Sequence, residues 1–298
     1  MKKKLINEAF LSMLEGRDLQ INRPFNGLFG GNRPSPFFGS SVEFAEFREY
    51  LPGDDLRHLD TNLYARFEKL YIKQYIDERR LHHRIYLDAS RSMDWGEPPK
   101  GEFALMLCAA LGYIAIRNWD TVSFFALHGE DCTEIASNLS GKEAFYRGAN
   151  ALNKVKFYGD FRPVSALGAR DDQGNNDGLA ILISDFLNDD WQAVADLLCQ
   201  KKKQVQFIQI LSRDEISPDL YGKILLIDSE GEDEEDERHL KRRVNRQRIK
   251  AYHAALNYHR QQIKDYCAKN EIGFLTLCSD EEIERFLFLK ATEGGLVK

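Results

Sequence analysis

Hydrophobic positions in residues 84–288 form short apolar runs that alternate with longer stretches of helical spacing. The runs have the length of β-strands, and the stretches between them have the length of helices. Strands are predicted at residues 84–87, 121–127, 179–183, 205–211, 223–227 and 273–278. Helices are predicted at residues 101–117, 142–152, 190–200, 239–270 and 280–289. This alternation predicts an α/β fold, built on a doubly wound and mostly parallel sheet with helices on both faces.

The N-terminal part of the chain has a different pattern. Residues 5–14 have helical spacing, whereas residues 22–39 are crowded with Gly, Asn and Pro and are predicted to form a loop. Residues 70–77 alternate in steps of two, which predicts a strand. None of these elements belongs to a helix–strand alternation.

The patterns divide the chain into three parts. An N-terminal region, residues 1–80, is expected to pack on a main α/β domain of residues 81–290. Residues 291–298 are expected to form a tail. The acidic residues 230–237 interrupt the main domain and are predicted to form a solvated loop before its long helix.

Composition and charge exclude several classes of function. The formal net charge of −6 disfavours non-specific binding of nucleic acid, because an acidic surface repels a polyanion. No apolar run approaches the roughly 20 residues of a membrane-spanning helix, and no secretory signal follows the basic N-terminus. The five cysteines are scattered and never form a CxxC pair, so we expect reduced thiols. These features predict a cytoplasmic protein that is not inserted in a membrane.

Oxygen-bearing side chains follow two of the predicted strands directly. Asp88, Ser90 and Ser92 come after the strand at residues 84–87, and Asp185 comes after another apolar strand. In open α/β sheets ligands bind at the carboxyl ends of the strands, where these side chains are expected to meet. Carboxylate and hydroxyl oxygens are ligands for hard cations such as Mg²⁺. Asp-x-Ser-x-Ser alone also fits a helix cap or a turn, and the second strand-end carboxylate is what favours a metal site.

These motifs resemble those of known families. Asp-Ala-Ser-Arg-Ser at residues 88–92, with Ser-Asp-Phe at residues 184–186, resembles the metal-ion-dependent adhesion site of von Willebrand factor A domains. The segment upstream closely resembles the signature of the domain-of-unknown-function 58 family of bacterial proteins. The matching positions are Glu43, Phe44, Arg48, Tyr50, Gly53, Asp54, Asp55, Arg57, Asp60, Ala65 and Arg66, with Thr61 where the family usually has Trp. The resemblance covers about residues 40–289 and implies a von Willebrand factor A-like fold with an N-terminal extension.

The resemblance also implies a set of metal ligands. Asp88, Ser90, Ser92 and Asp185 would hold Mg²⁺ or Mn²⁺. The adhesion site normally has a further Thr on a loop between the two acidic strands, and no Gly-Thr-Asp-like segment is present in this chain. Ser165 precedes a short apolar stretch, as that Thr does, and is the best substitute, whereas Thr133 is a poorer one.

The implied function is protein binding and not catalysis. A metal held by serines and aspartates keeps a coordination position for a carboxylate of another protein. The family resemblance implies that this partner is a MoxR-type AAA+ ATPase, in a chaperone-like system for the assembly or maturation of other proteins. The chain has no GxxxxGK[ST] phosphate loop of its own.

Two alternatives remain open at the level of sequence. A metal-dependent phosphohydrolase of the haloacid-dehalogenase type also has an Asp at the end of its first strand. That class needs an acid two residues later, where this chain has Ser90. The other alternative is a degenerate domain of the same fold that binds partners without a metal.

The acidic pair Asp54 and Asp55 lies among arginines and has two interpretations. The carboxylates are either catalytic, or they form ion pairs with Arg48, Arg57 and Arg66 that fix a loop. We favour the structural interpretation, because the family signature assigns no chemistry to this segment.

Overall fold

The computed structural model of the chain describes residues 8–20, 30–39, 43–168, 178–201, 204–226 and 240–298. The chain divides into two compact units: a main unit of Met1–Asn22 with His82–Lys298, and a smaller unit of Arg23–Leu81. The N-terminal region expected at residues 1–80 therefore contributes to both units.

Strands and helices of the described residues are numbered in chain order. The strands are β1 (Gly30–Gly39), β2 (Glu43–Glu49), β3 (Tyr71–Arg79), β4 (His82–Asp88), β5 (Thr121–His128), β6 (Asp131–Leu139), β7 (Leu179–Ser184), β8 (Gln204–Leu211), β9 (Gly222–Leu226), β10 (Leu240–Val244) and β11 (Gly273–Cys278). The helices are α1 (Glu8–Met13), α2 (Thr61–Phe67), α3 (Lys100–Arg117), α4 (Lys142–Leu152), α5 (Pro163–Gly168), α6 (Trp191–Gln200), α7 (Arg213–Ile216), α8 (Arg246–Lys269), α9 (Ile283–Arg285) and α10 (Ala291–Glu293). Short 3₁₀ turns lie at Leu56–His58 and Arg91–Asp94, and a π-helical turn lies at Phe286–Lys290.

The smaller unit is built on an antiparallel sheet with the order β1-β3-β2. Strand β3 confirms the strand predicted at residues 70–77. The predicted loop was wrong for residues 30–39, which form β1, and residues 22–29 lie outside the described residues. Strand β1 lies at the edge of its sheet and pairs with β3 in an irregular register. An edge strand tolerates proline, because one side of its backbone needs no partner in the sheet.

The charged signature segment of the smaller unit is held by ion pairs. The Arg48 guanidinium donates to both carboxylate oxygens of Asp54 at 2.8 Å. The Arg57 guanidinium contacts Asp55 at 2.6 Å, and this hydrogen bond lowers the pKa of Asp55 to about 2. Asp60 accepts hydrogen bonds from two backbone amides at the start of α2 and so caps that helix. Arg48 and Arg57 thus form ion pairs of the kind that the structural interpretation predicts.

The main unit contains a six-stranded sheet with the order β11-β8-β7-β4-β5-β6. Neighbouring strands are parallel except β6, which runs antiparallel to β5 at one edge. Strands β4 and β7 lie at the centre, and every residue of β7 is buried. This arrangement confirms the predicted doubly wound, mostly parallel α/β sheet.

Helices cover both faces of the main sheet. Ile85 and Leu87 of β4 pack with α3 and α4, whereas Tyr86, between them, packs with α5, α6 and part of α8. Alternate side chains of one strand thus enter two different cores, as the pleat of a strand requires. The site at the end of β4 is therefore fixed from both sides.

Three elements of the main unit differ from the sequence prediction. Strand β6 was not predicted, and most of its residues are exposed or half-buried, so it carries no continuous apolar run. Strand β9 pairs with β10 in a separate two-stranded sheet and does not join the main one. The long helix begins at Arg246 and not near residue 239, because Leu240–Val244 form β10 and the side chain of Asn245 caps the helix.

The C-terminal end of the chain is packed and not extended. Leu296 and Val297 lie in the core of the main unit, with Leu14 and Leu19 from the N-terminal end. Leu19 forms an antiparallel bridge with Val297. The predicted helix at residues 280–289 is interrupted: α9 is followed by the π-helical turn and α10.

Two further sequence expectations can be compared with the structure. No disulfide bond joins any of the five cysteines, all of which lie in the described residues. Within the described residues, no helix combines the length and the hydropathy needed to span a membrane.

Candidate functional site

The candidate site lies at the carboxyl ends of β4 and β7. The two strands are parallel neighbours, and Leu87 pairs with Ile183. The next residues, Asp88 and Ser184, therefore end their strands at the same edge of the sheet, and Asp185 follows Ser184. We call Asp88, Ser90, Ser92, Ser184 and Asp185 the crest site.

Asp88 organises the loop that follows β4. Its Oδ1 accepts a hydrogen bond from the backbone amide of Ser90 at 3.0 Å and from the Ser90 hydroxyl at 2.6 Å. The Ser90 and Ser92 hydroxyl oxygens lie 3.0 Å apart. The structure thus brings together three of the predicted metal ligands, Asp88, Ser90 and Ser92, at one point.

A fourth hydroxyl reaches Asp88 from the neighbouring strand. Ser184 donates from its Oγ to Asp88 Oδ2 at 2.6 Å, and the same Oγ accepts a hydrogen bond from the Phe186 amide at 3.1 Å. Ser184 was not among the predicted ligands. The parallel register explains its position, because the pairing of Leu87 with Ile183 places the next residues, Asp88 and Ser184, side by side.

The Asp88 carboxylate is completely buried. Burial raises the pKa of Asp88 to about 7, and the negative charge of Asp185 acts in the same direction. The hydrogen bonds from Ser184 and Ser90 oppose this rise. Asp88 thus lies within electrostatic range of the second acidic residue, and no cationic side chain of the described residues forms an ion pair with it.

Asp185 has a different environment. Its Oδ2 accepts a hydrogen bond from Lys100 Nζ at 2.7 Å, and its Oδ1 accepts one from the Leu187 amide at 3.2 Å. The side chain of Gln209 on β8 donates to the Asp185 carbonyl oxygen at 2.8 Å. Asp185 is therefore held by an ammonium group and by backbone and amide contacts.

Lys100, like Ser184, was not predicted from the sequence. Its side chain is fully buried at the first position of α3, and its Nζ also contacts Glu215 Oε1 at 2.6 Å. Burial opposes the charged form, yet the two carboxylates raise the pKa of Lys100 above its ordinary value. A lysine at the start of a helix is ordinarily solvated, so neither Lys100 nor Glu215 carried a signal in the sequence.

Ser165 does not join the cluster around Asp88. It is an exposed residue of α5, and in the described part of the chain no hydrogen bond links it to the crest site. Thr133, the poorer substitute, is an exposed residue of β6. The role of Ser165 as a ligand stays a prediction.

The donor set of the crest site fits a small, hard cation. Asp88 is a buried carboxylate that pairs with no cation in the part of the chain that the structure describes, and the hydroxyls of Ser90 and Ser184 donate to it, with that of Ser92 next to Ser90. Such oxygens are characteristic ligands of Mg²⁺, which also retains several waters. In the described chain no group of three or more His, Cys, Asp or Glu side chains forms a metal site, so serine oxygens would have to complete this one.

The doubly wound, mostly parallel sheet, with β6 antiparallel at one edge, is that of a von Willebrand factor A-like fold. The chain belongs to the family described as protein of unknown function DUF58, whose family model matches residues 46–262. The uncharacterized protein Rv1480 of Mycobacterium tuberculosis is 24% identical over 227 residues, which cover 72% of this chain and 68% of that protein.

Two solved structures are similar in fold. An aerotolerance-related membrane protein from Bacteroides fragilis matches with a TM-score of 0.41 and 14% identity, over 72% of this chain and 98% of that one. The von Willebrand factor A domain of SpRpn10 matches with a TM-score of 0.37 and 7% identity, over 69% and 92%. The fold assignment itself rests on the order and direction of the strands in the main sheet.

Proposed function

We propose that this protein is a metal-ion-dependent protein-binding module whose crest site holds Mg²⁺ or Mn²⁺. The observation that carries the proposal is the buried Asp88 carboxylate, which has no cationic partner among the described residues and is hydrogen-bonded to Ser90 beside Ser92. A bound ion would supply a coordination position for a carboxylate of a partner protein. The residues of this chain hold the oxygen ligands in place and exclude water from one side of them.

Exposed apolar side chains near the crest site support a role in protein binding. Trp95, Tyr158 and Leu187 are 58%, 57% and 43% exposed. Each is tied to the site through its backbone: the Trp95 amide donates to the Ser92 carbonyl, the Tyr158 amide to the Ala89 carbonyl, and the Leu187 amide to the Asp185 carboxylate. Exposed apolar residues grouped in this way mark interaction surfaces, whereas single ones are ordinary.

We propose a MoxR-type AAA+ ATPase as the partner, with the pair acting in the assembly or maturation of other proteins. The support for this partner is the family resemblance. An ion at the crest site would accept a carboxylate of the partner, and the exposed apolar side chains near the site would contact apolar residues of the partner. The phosphohydrolase alternative is weaker, because the Ser90 hydroxyl stands where that class needs an acid and donates to Asp88.

A metal-free interaction domain is the second candidate, and one observation favours it. Lys100 already supplies a positive charge to Asp185, the second acidic residue of the crest site. The two candidates differ in whether partner binding depends on a divalent ion.

Thermal unfolding with and without Mg²⁺ or Mn²⁺ tests ion binding. We expect the ion to raise the melting temperature of the wild-type protein, because a ligand of the folded state stabilises it by about 2.7 kcal/mol at 100 times its Kd. Asp88→Ala should abolish the shift. Asp94→Ala, which removes an exposed carboxylate six residues away, should retain it. Equal shifts in all three proteins would place the ion elsewhere.

Co-purification with a MoxR-type ATPase tests the partner. We expect recovery of the ATPase in Mg²⁺ and its loss in EDTA, and we expect Trp95→Ala to reduce recovery without changing the thermal shift. Recovery that is equal with and without EDTA would favour the metal-free domain. No recovery under either condition would reject this partner.

A further inference from the structure

Lys100 is a buried cation that bridges two acidic loops of the main unit. Its Nζ lies 2.7 Å from Asp185 Oδ2 and 2.6 Å from Glu215 Oε1. The lysine begins α3, the aspartate follows β7, and the glutamate lies on α7, after β8. Lysine is almost never fully buried unless it is paired. The Lys100 ammonium fits this rule, because it neutralises charge on the two carboxylates.

The two carboxylates are held in place independently of Lys100. Glu215 forms a capping box with Ser212, in which the Ser212 amide donates to Glu215 Oε2 at 2.7 Å and the Glu215 amide donates to Ser212 Oγ at 3.2 Å. Tyr252 on α8 donates from its hydroxyl to the Glu215 carbonyl at 2.6 Å. Asp185 is fixed by the Leu187 amide and by Gln209.

This geometry has the form of an oxygen cage around a cation. Divalent ions lie about 2.0–2.6 Å from carboxylate oxygens, close to the distances at which the Lys100 ammonium lies. Removal of the ammonium would leave two fixed carboxylates, one buried and one half-buried, that repel one another. Asp185 differs from Asp88 in its partner: the Lys100 ammonium lies against Asp185 Oδ2, where its charge opposes a second cation, whereas the printed partners of the Asp88 carboxylate are hydroxyl and amide donors.

We propose that Lys100 is the resident cation of the Asp185–Glu215 pair and that it keeps Asp185 from ligating a divalent ion. This inference deepens the proposed function, on which it rests for the ion bound at Asp88, Ser90 and Ser92. The wild-type crest site then has a single carboxylate ligand of its own. Its ion affinity is low until a partner adds a second carboxylate, so ion and partner bind together.

Calorimetric titration with Mn²⁺ alone tests the inference. Lys100→Met removes the charge and keeps the length of the side chain, and we expect it to bind Mn²⁺ at least about tenfold more tightly than the wild type. Adding Asp185→Asn to Lys100→Met should remove the gain. Lys142→Met is the matched control, because Lys142 is also the first residue of a long helix but is exposed, and its affinity should equal that of the wild type.

A charge-balanced variant guards against loss of folding. If Lys100→Met does not fold in EDTA, the double variant Lys100→Met/Glu215→Gln replaces it in the Mn²⁺ titration. Together, positions 100, 185 and 215 of this variant have the same net charge as in the wild type. A gain in Mn²⁺ affinity in either folded variant supports the inference, as does refolding of Lys100→Met on addition of Mn²⁺. A folded variant whose affinity equals or falls below that of the wild type overturns it.

The outcomes separate this inference from the proposed function. If Lys100→Met binds Mn²⁺ more tightly than the wild type but EDTA does not change recovery of the ATPase by the wild type, the metal dependence of the native protein is rejected while the role of Lys100 stands. If the wild type binds Mn²⁺ and Lys100→Met binds it no better, the role of Lys100 is rejected while the proposed function stands.

Discussion

Asp88 carries the strongest electrostatic perturbation of the crest site, and it predicts a pH dependence of folding. In metal-free protein its pKa is about 7, against 3.8 for the unperturbed group. Between these values the folded state binds more protons than the unfolded state, so the free energy of unfolding falls as the pH rises from about 4 to 7. The loss attributable to Asp88 is roughly 4 kcal/mol and is complete above that range.

Urea unfolding in EDTA at a series of pH values measures this effect. Asp88→Asn has no titrating carboxyl at this position. The part of the fall in unfolding free energy that comes from Asp88 should therefore be missing in this variant. The difference in unfolding free energy, wild type minus variant, should therefore decrease as the pH rises. Parallel curves for the two proteins would contradict the raised pKa.

A second buried pair contributes to stability without belonging to the crest site. His83 accepts a hydrogen bond at Nδ1 from the Leu179 amide, so its Nε2 carries the hydrogen that contacts Asp120 Oδ2 at 3.1 Å. Both side chains are buried. His83→Leu removes one donor from a buried carboxylate and should lower the unfolding free energy by about 3 kcal/mol in chemical denaturation. His253→Leu, on the half-buried side of α8, should change it little, and equal losses would refute the role assigned to the pair.

Residues of the crest site differed in how far sequence could identify them. Asp88, Ser90 and Ser92 are close in sequence and follow a buried strand, so the rule that ligands bind at strand ends was enough to group them. Ser184 required knowledge of which strands are neighbours. Lys100 and Glu215 are 115 positions apart, and only the packing of α3 against the loops after β7 and β8 brings them together.

Helix α3 approaches β5 closely at a glycine, and this contact sets the spacing of the two elements. A Cβ added at Gly112 would lie 2.5 Å from the ring of Phe124, which is itself buried. Gly112→Ala should therefore lower the unfolding free energy by about 1–3 kcal/mol, despite the better helix propensity of alanine. Thermal or urea unfolding measures the change.

Two matched variants make this prediction specific. At Gly168, on α5, an added Cβ meets no atom within 4 Å, so Gly168→Ala should leave stability unchanged or slightly higher. Phe124→Leu removes the ring atoms and should reduce the cost of Gly112→Ala when the two are combined. If the two alanine variants were equally stable, close packing at Gly112 would not be the cause.

The strands that the sequence predicted correctly are buried ones, because a buried strand has a continuous run of apolar residues. Strands β7 and β8 are buried at nearly every position, and their apolar runs located them almost to the residue. Strand β6 is half-exposed at the sheet edge, and β10 has the basic sequence Leu-Lys-Arg-Arg-Val. Strands β6 and β10 form by pairing with β5 and β9, respectively. Such pairing cannot be recognised from the composition of the strand itself.

At the scale of the whole molecule, the two ends of the main unit's chain hold each other. Asp18 and Lys298 exchange two backbone hydrogen bonds, of 3.1 and 2.8 Å, and the Gln20 amide donates to the Leu296 carbonyl at 2.9 Å. Leu19 and Val297, between these bonds, are buried. No sequence pattern predicted this pairing, because each segment is too short to show periodicity and the two are almost a chain length apart.

This pairing predicts that the two ends are coupled in stability. Leu19→Ala should lower the unfolding free energy by about 2–5 kcal/mol, since it removes a fully buried side chain, whereas Met13→Ala, at a position 50% exposed, should cost far less. Deletion of residues 294–298 removes the partner of Leu19, so Leu19→Ala should cost less in the shortened chain than in the full one. Urea unfolding of the four combinations measures the coupling. Additive losses would mean that the ends stabilise the main unit separately, and that residues 294–298 are not what keeps Leu19 in its buried position.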